Sequence, residues 1–355
     1  MKIIRNILLM GAMAFLAVSC VCSAEKQAQK EFEEIMERNK AVGLAVVAVK
    51  DGRVVYNETF GYSDMDATDQ SEMIGDSIYV IERSGNPSGE YPQDSTYAFV
   101  RYAARYTSGE YAAYNIDSIA MKEGTYHPSN FYSSFVWPVK MGYISDPLSD
   151  ILKNMKPGEK TVSLVPPWIV NYNTSYAFAS TTSIMFYEIE LEKVVPSIEE
   201  YQEQILKEFS QKYFGGMDTI SKGFYFHKFH EGATEDTLTE GTVLDVWYVG
   251  RMLDGPVFDT NIEDSAKKYD LYKPDGTYTP LSVLYYKDDP EKIAEEEGYV
   301  LGFCKAFTSG VTWGDKCFVF FDSSLGYGAE GNLNNGAGIP PFYPISFELW
   351  IEEND

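Results

Sequence analysis

The sequence predicts an α+β protein built of two tandem units behind a targeting segment. Three observations lead there. Residues 241–259 (GTVLDVWYVGRMLDGPVFD) and 300–351 alternate apolar and polar side chains, are rich in aromatics and break at glycines, as strands and turns do. Residues 196–214 form a charged amphipathic run that opens with Ser197 and Glu200, the spacing of a capping box, and closes on Gly215-Gly216. Finally, one order of elements occurs twice: strand, loop, strand, turn, long excursion, short helix, glycine-acid-lysine turn, strand, excursion, final strand. Its period of roughly 150 residues is too long for a solenoid repeat and means tandem domains.

Size and charge set the bounds. A chain of 355 residues is long for one compact domain. Hydrophobic residues make up 45% and aromatics 15%, with 27 Tyr and 21 Phe, so there is material for two cores. The formal net charge of −24 argues against nucleic acid and anionic headgroups as electrostatic partners.

In chain order, residues 1–19 read as a signal peptide. Lys2 and Arg5 precede an apolar run too short to span a bilayer. Leu16-Ala17-Val18-Ser19-Cys20 resembles a bacterial lipobox, with Ala17 where Leu is commonest, and makes Cys20 the lipidation site. The competing reading is cleavage after Ala24, giving a soluble periplasmic protein. Residues 20–75 hold an amphipathic helix at 25–39, a tether or a homodimerising arm, and two β-rich runs around Asp51-Gly52, a hairpin signal. The hairpin resembles the opening of serine β-lactamase-like hydrolases. Their Ser-x-x-Lys nucleophile is missing from residues 63–120, and the one at Ser265–Lys268 lies far away in a charged loop, so the hairpin reads as structural.

Residues 76–195 form the first repeat, with strands at 77–81, 97–106, 161–166 and 183–191 and a helix at 148–155. The run at 196–219 is a linker helix. Residues 220–355 form the second repeat, with strands at 224–229, 243–252, 317–321 and 345–351 and a helix at 303–311. Residues 261–299 are long and acidic, either a peptide-binding flap or a solvated loop. Cys304 and Cys317 lie at a helix start and on a strand, and stand open between a disulfide and two buried thiols.

The second repeat resembles an FKBP-type peptidyl-prolyl cis-trans isomerase domain. The motifs that carry this are Val246-Trp247-Tyr248-Val249-Gly250, Asp254-Gly255-Pro256-Val257-Phe258-Asp259, Val300-Leu301-Gly302-Phe303, Gly314-Asp315-Lys316, Leu325-Gly326-Tyr327-Gly328, Gly338-Ile339-Pro340-Pro341 and Ile345-Ser346-Phe347-Glu348-Leu349, in family order. The resemblance implies a twisted antiparallel sheet around a short helix in each repeat. It implies a prolyl pocket walled by Tyr248, Phe258, Val300, Leu301, Phe303, Ile339 and Phe347, with Asp259 and Tyr327 as the polar, catalytic groups. Phe303 stands where the family usually has Trp. No metal or other cofactor is implied: His227 and His230 face opposite sides of a strand, and the acidic clusters lack calcium-loop spacing.

The first repeat matches at Val100-Arg101-Tyr102 and at residues 155–160 but has Ala112-Ala113 in place of Phe258-Asp259. It also lacks the Tyr-Gly and Gly-Ile-Pro-Pro motifs. It is expected to pack or bind clients without turnover. The whole reads as an isomerase of proline-containing unfolded or nascent envelope proteins, anchored by lipid to the outer membrane. The alternative is a non-catalytic FKBP-like chaperone or peptide-binding lipoprotein.

Overall fold

The computed structural model describes residues 30–31, 43–50 and 53–61 (backbone alone for these two strands), 72–75, 77–139, 142, 144–170, 180, 182–217, 219–232, 238–333 and 338–352. Cys20, the signal, most of the 25–39 helix and the Asp51-Gly52 turn lie outside them. The chain divides into two units, residues 1–73 and 74–355. In the first, β1 (Gly43–Lys50) and β2 (Arg53–Gly61) pair antiparallel from Gly43↔Gly61 to Lys50↔Arg53, the expected hairpin.

The second unit holds two antiparallel sheets with helices, an α+β architecture. The strands of the first, besides β3 (Glu72–Ile74) at the unit boundary, are β4 (Ile78–Gly85), β5 (Tyr97–Tyr106), β6 (Tyr111–Tyr114), β7 (Phe135–Pro138), β8 (Glu159–Val165) and β9 (Met185–Val195). Those of the second are β10 (Phe224–His230), β11 (Val243–Met252), β12 (Val257–Thr260), β13 (Leu281–Leu284), β14 (Lys316–Phe321) and β15 (Ile345–Ile351). The first sheet runs β3-β4-β8-β9-β5-β6 with β7 also on β5. The second runs β10-β14-β15-β11-β12 with β13 also on β11. Apart from β3 the two orders are the same, strand for strand.

Period-two alternation assigns each sheet two faces. Ala98, Val100, Tyr102 and Ala104 of β5 face a core closed by helix α2 (Asp146–Lys153), which buries Leu148, Ile151 and Leu152; helix α1 (Asp117–Glu123) lies earlier in the chain. Val319 and Phe321 of β14 face the second core, closed by helix α6 (Leu301–Phe307) with Phe303 and Phe307. The opposite faces carry Phe99, Tyr225 and Phe320, and helix α3 (Ile198–Phe214) covers all three. Ile198 packs with Phe99 and Val136, while Leu206 and Phe209 pack with Tyr225, Leu253 and Phe320. The run expected to be a linker is therefore a strut against both sheets. Ser197 Oγ accepts from Glu200 N–H at its start, and Gly215 ends it in the left-handed region (φ 70).

Two expectations need correcting, and one open alternative is settled. Residues 261–299 are not a solvated loop: they contain α4 (Glu263–Lys268), β13 and α5 (Pro290–Glu297), and bury Val283 and Ile293 in the second core. Ser265 and Lys268 consequently sit on a helix. The helix expected at 303–311 covers 301–307, because the Thr308 and Ser309 hydroxyls both turn back to the carbonyl of Lys305 and end it. Cys304 and Cys317 are buried free thiols, each pushed by burial up to about 12.

Each sheet also keeps one basic–acidic pair at the same place. Asp315, fully buried, accepts from the backbone N–H groups of Thr312 and Gly232 and pairs with Lys228 at 2.8 Å. Glu159 accepts from Lys156 N–H and pairs with Arg83 at 3.1 Å. Burial works to raise the Asp315 carboxyl, but its bonds from Lys228, Gly232 and Thr312 leave it below the usual range. A depressed carboxyl stabilises the fold above its unfolded value and ceases to do so as the pH falls through the folded one. Asp315→Ala is expected to cost about 3 kcal/mol at neutral pH, since it strands a half-buried ammonium and two N–H groups. Urea unfolding should show this, with the gap between variant and parent narrowing below about pH 4.

Candidate active site

The site assembles on β11, β12, α6, the 3-10 turn Ser323–Leu325 and the start of β15. It begins with a bulge in the β11–β12 pair, where Val249↔Thr260 and Gly250↔Asp259 are in register and Arg251 then meets Val257. Gly250 is required there by contact. A Cβ on it would lie 2.8 Å from both the Phe258 and the Phe347 ring. With only hydrogen at that point, the two rings meet over the strand edge to face, 5.7 Å apart at 90°.

Around Phe347 the remaining walls fall into place. Phe303 lies 5.0 Å from it and Tyr248 6.1 Å, while Tyr248 and Phe303 are 5.9 Å apart, all at steep interplanar angles that suit ring quadrupoles. Tyr327 closes the far side at 6.4 Å from Phe258. Phe258, Phe303, Ile339 and Phe347 are buried, with Tyr248, Val300 and Tyr327 packed partly exposed against them. Leu301, the first residue of α6, is half-buried and outside this packed group. Seven of the pocket and polar residues expected from the sequence thus share one cluster, and Asp259 joins it by a hydrogen bond.

That bond is the polar feature of the site. Tyr248 Oη donates to Asp259 Oδ2 at 2.7 Å, with the carboxylate exposed at the rim. Burial first, then the Asp259 charge and hydrogen bond, hold the Tyr248 hydroxyl well above its ordinary value. Burial and Asp259 raise Tyr327 as well, opposed by a hydrogen bond with Asn332. Both phenols therefore stay neutral donors at physiological pH. Asn332 and Ile339 exchange backbone hydrogen bonds of 2.7 and 3.1 Å, which bring Ile339 to the pocket wall.

The sequence reading missed Asn261, which frames the site from behind. Its Oδ1 accepts from Tyr248 N–H, and its amide donates to Val246 O and Thr279 O. Asn115 makes the same bonds with Tyr102, Val100 and Ser133, at the same separations of 13, 15 and 18 residues. The signal was there, since both asparagines stand two residues after the compared pairs Ala112-Ala113 and Phe258-Asp259. Tyr299 was also missed; its ring stands 5.6 Å from Phe303.

The first sheet has the same bulge, with Ala104↔Ala113 in register before Arg105 meets Tyr111. Ala113 thus occupies the place of Asp259 and Ala112 that of Phe258, as the sequence comparison expected. Tyr102, the counterpart of Tyr248, is buried against Trp137 at 4.9 Å, and burial pushes its hydroxyl up to about 12.

No family model matches the chain. Among solved structures, it is similar to the three FKBP domains of wheat FKBP73, at 18% identity and a TM-score of 0.28, over 79% of this chain and 95% of that one. It is also similar to a peptidyl-prolyl cis-trans isomerase from Pseudomonas syringae pv. tomato, at 21% identity and a TM-score of 0.30, over 43% of this chain and 92% of that one. A third likeness is to the N-terminal domain of FKBP42 from Arabidopsis thaliana, at 13% identity and a TM-score of 0.26, over 39% and 91%. Scores of this size leave the reading of the site to its own geometry.

Gly250→Ala tests that geometry. The added methyl must displace Phe258 or Phe347, so the variant is expected to lose about 1–3 kcal/mol of stability in urea and to bind prolyl peptides more weakly in calorimetry. Ala104→Gly, on the first sheet, should leave peptide affinity as it was.

Proposed function

We propose that the cluster around Phe347 is the prolyl pocket of an FKBP-type peptidyl-prolyl cis-trans isomerase, carried by the second of two tandem domains. The observation that carries the reading is the pairing of a dry aromatic floor with two neutral phenols and one exposed carboxylate at its rim. A planar prolyl amide is held by resonance behind a barrier of about 18–20 kcal/mol. Lowering that barrier takes no bond making, only tighter binding of the twisted amide than of either planar isomer. Phe258, Phe303 and Phe347 would grip the pyrrolidine ring and exclude water, with Val300, Leu301 and Ile339 completing the walls. The Tyr327 hydroxyl would hold a substrate carbonyl. Asp259, which already fixes Tyr248 by hydrogen bond, would orient that phenol and stabilise the twisted amide at the pocket edge.

The substrates in this proposal are Xaa-Pro bonds of unfolded or nascent exported proteins. The signal-like residues 1–19 and Cys20 support a lipoprotein of the cell envelope, held at the outer membrane by its lipid, with a soluble periplasmic form as the competing location. The first domain, with Ala112 and Ala113 at the pocket positions, would not turn over substrate. Phe303 at the floor, without an indole donor, favours the second reading, a chaperone that binds prolyl segments without isomerising them.

A proline-isomer assay on the full chain separates the two readings. The isomerase reading expects a rate above the uncatalysed peptide, with Tyr327→Phe and Asp259→Ala each lowering kcat/KM by about tenfold, the loss of one good hydrogen bond. An uncatalysed rate from the folded parent leaves the chaperone. Full activity in both variants refutes the site assignment.

A further inference from the structure

The residue after Tyr327 is held at both of its polar ends, and the anchors lead to helix α3 and to the first sheet. Gly328 N–H donates to Ser323 O at 2.7 Å, and Gly328 O accepts from Phe342 N–H at 2.8 Å. Ser323 is fixed by Gln202 of helix α3, 121 residues away. Gln202 Oε1 accepts from Ser323 N–H at 2.7 Å, and Gln202 Nε2 donates to Ser323 Oγ at 2.9 Å, with Gln202 only 3% exposed. Both ends of one buried amide are thus spent on one residue of the turn that leads into Tyr327.

Phe342 is the second anchor. Its backbone is left-handed (φ 56), a region that a bulky side chain occupies only when its surroundings over-determine it. Those surroundings are the first sheet and α3. The Phe342 ring packs against their two buried clusters and meets the Tyr97 ring edge-on at 5.4 Å and 78°. Its neighbour Tyr343 lies 4.5 Å from Phe131, which packs against the first core. The loop carrying Tyr327 therefore leans on residues outside its own domain at each end.

We propose that Gln202 and Phe342 are positioning residues for Tyr327, and that helix α3 and the first domain together serve as the rigid seat of the second domain's catalytic loop. This rests on the isomerase reading above. It gives the degenerate repeat a role in catalysis without a substrate of its own. A phenol that must meet a twisted amide gains from a fixed position, and a displacement of an ångström costs rate more than affinity.

The test uses the full chain with Gln202→Leu, Phe342→Ala and the exposed control Gln204→Leu on the same helix. The proposal expects kcat to fall by about tenfold in the first two, with KM moving less than twofold, faster amide exchange at residues 323–328, and the control unchanged. Phe342→Tyr, which keeps the ring, should restore kcat. If Gln202→Leu does not fold, Phe342→Ala and its rescue carry the test. A purely structural role would lower the melting temperature while leaving kcat per folded molecule at the parent value, and that result overturns the proposal. Should the parent itself show no turnover, the isomerase reading fails separately. The clamp is then judged by exchange alone, and protection at Gly328 that survives both substitutions refutes it.

Discussion

The pocket depends on one missing methyl. At Gly250 the strand carries hydrogen where its counterpart on the first sheet, Ala104, carries Cβ. That gap lets Phe258 and Phe347 close edge to face over the backbone, and the bulge beside it turns Asp259 outward to Tyr248. On the first sheet Ala104 pairs with Ala113 and Tyr187, and Ala112 takes the place of Phe258. The same bulge and framing asparagine thus carry Phe258 and Asp259 in one place and Ala112 and Ala113 in the other.

What the two sheets share is the part that makes them fold. Identical strand order, the Asn115 and Asn261 frames, and the Arg83–Glu159 and Lys228–Asp315 pairs all satisfy backbone groups or charges that burial would otherwise leave stranded. Side chains that serve only a ligand have no such constraint, and these are the ones that differ. Helix α3 then joins the outer faces, so that Phe99 on one sheet and Phe320 on the other are covered by successive turns of one helix.

Long strands were legible in the sequence because their alternation is strict. The spans 97–106, 243–252 and 345–351 coincide with β5, β11 and β15. The duplication was legible too, through the matched Val-x-Tyr runs and glycine-acid-lysine turns. Short elements were not. β6, α1 and β7 are too brief to show a period, and in α5 the run Glu295–Glu297 hid the buried Ile293 behind a charged face. Most of the aromatic cluster around Phe347 could be named from the motifs, whereas Asn261 and Gln202 could not. Their importance lies in backbone groups far along the chain, which no local pattern displays.

The central claim is that one of two like-folded halves binds and turns a prolyl bond. Exchange NMR on the full chain with a short Xaa-Pro peptide tests both parts at once. The account predicts cis–trans exchange faster than in free peptide, with shifts concentrated at Tyr248, Asp259, Tyr327 and Phe347. Exchange at the uncatalysed rate, or shifts centred on Tyr102 and Ala113, would contradict it.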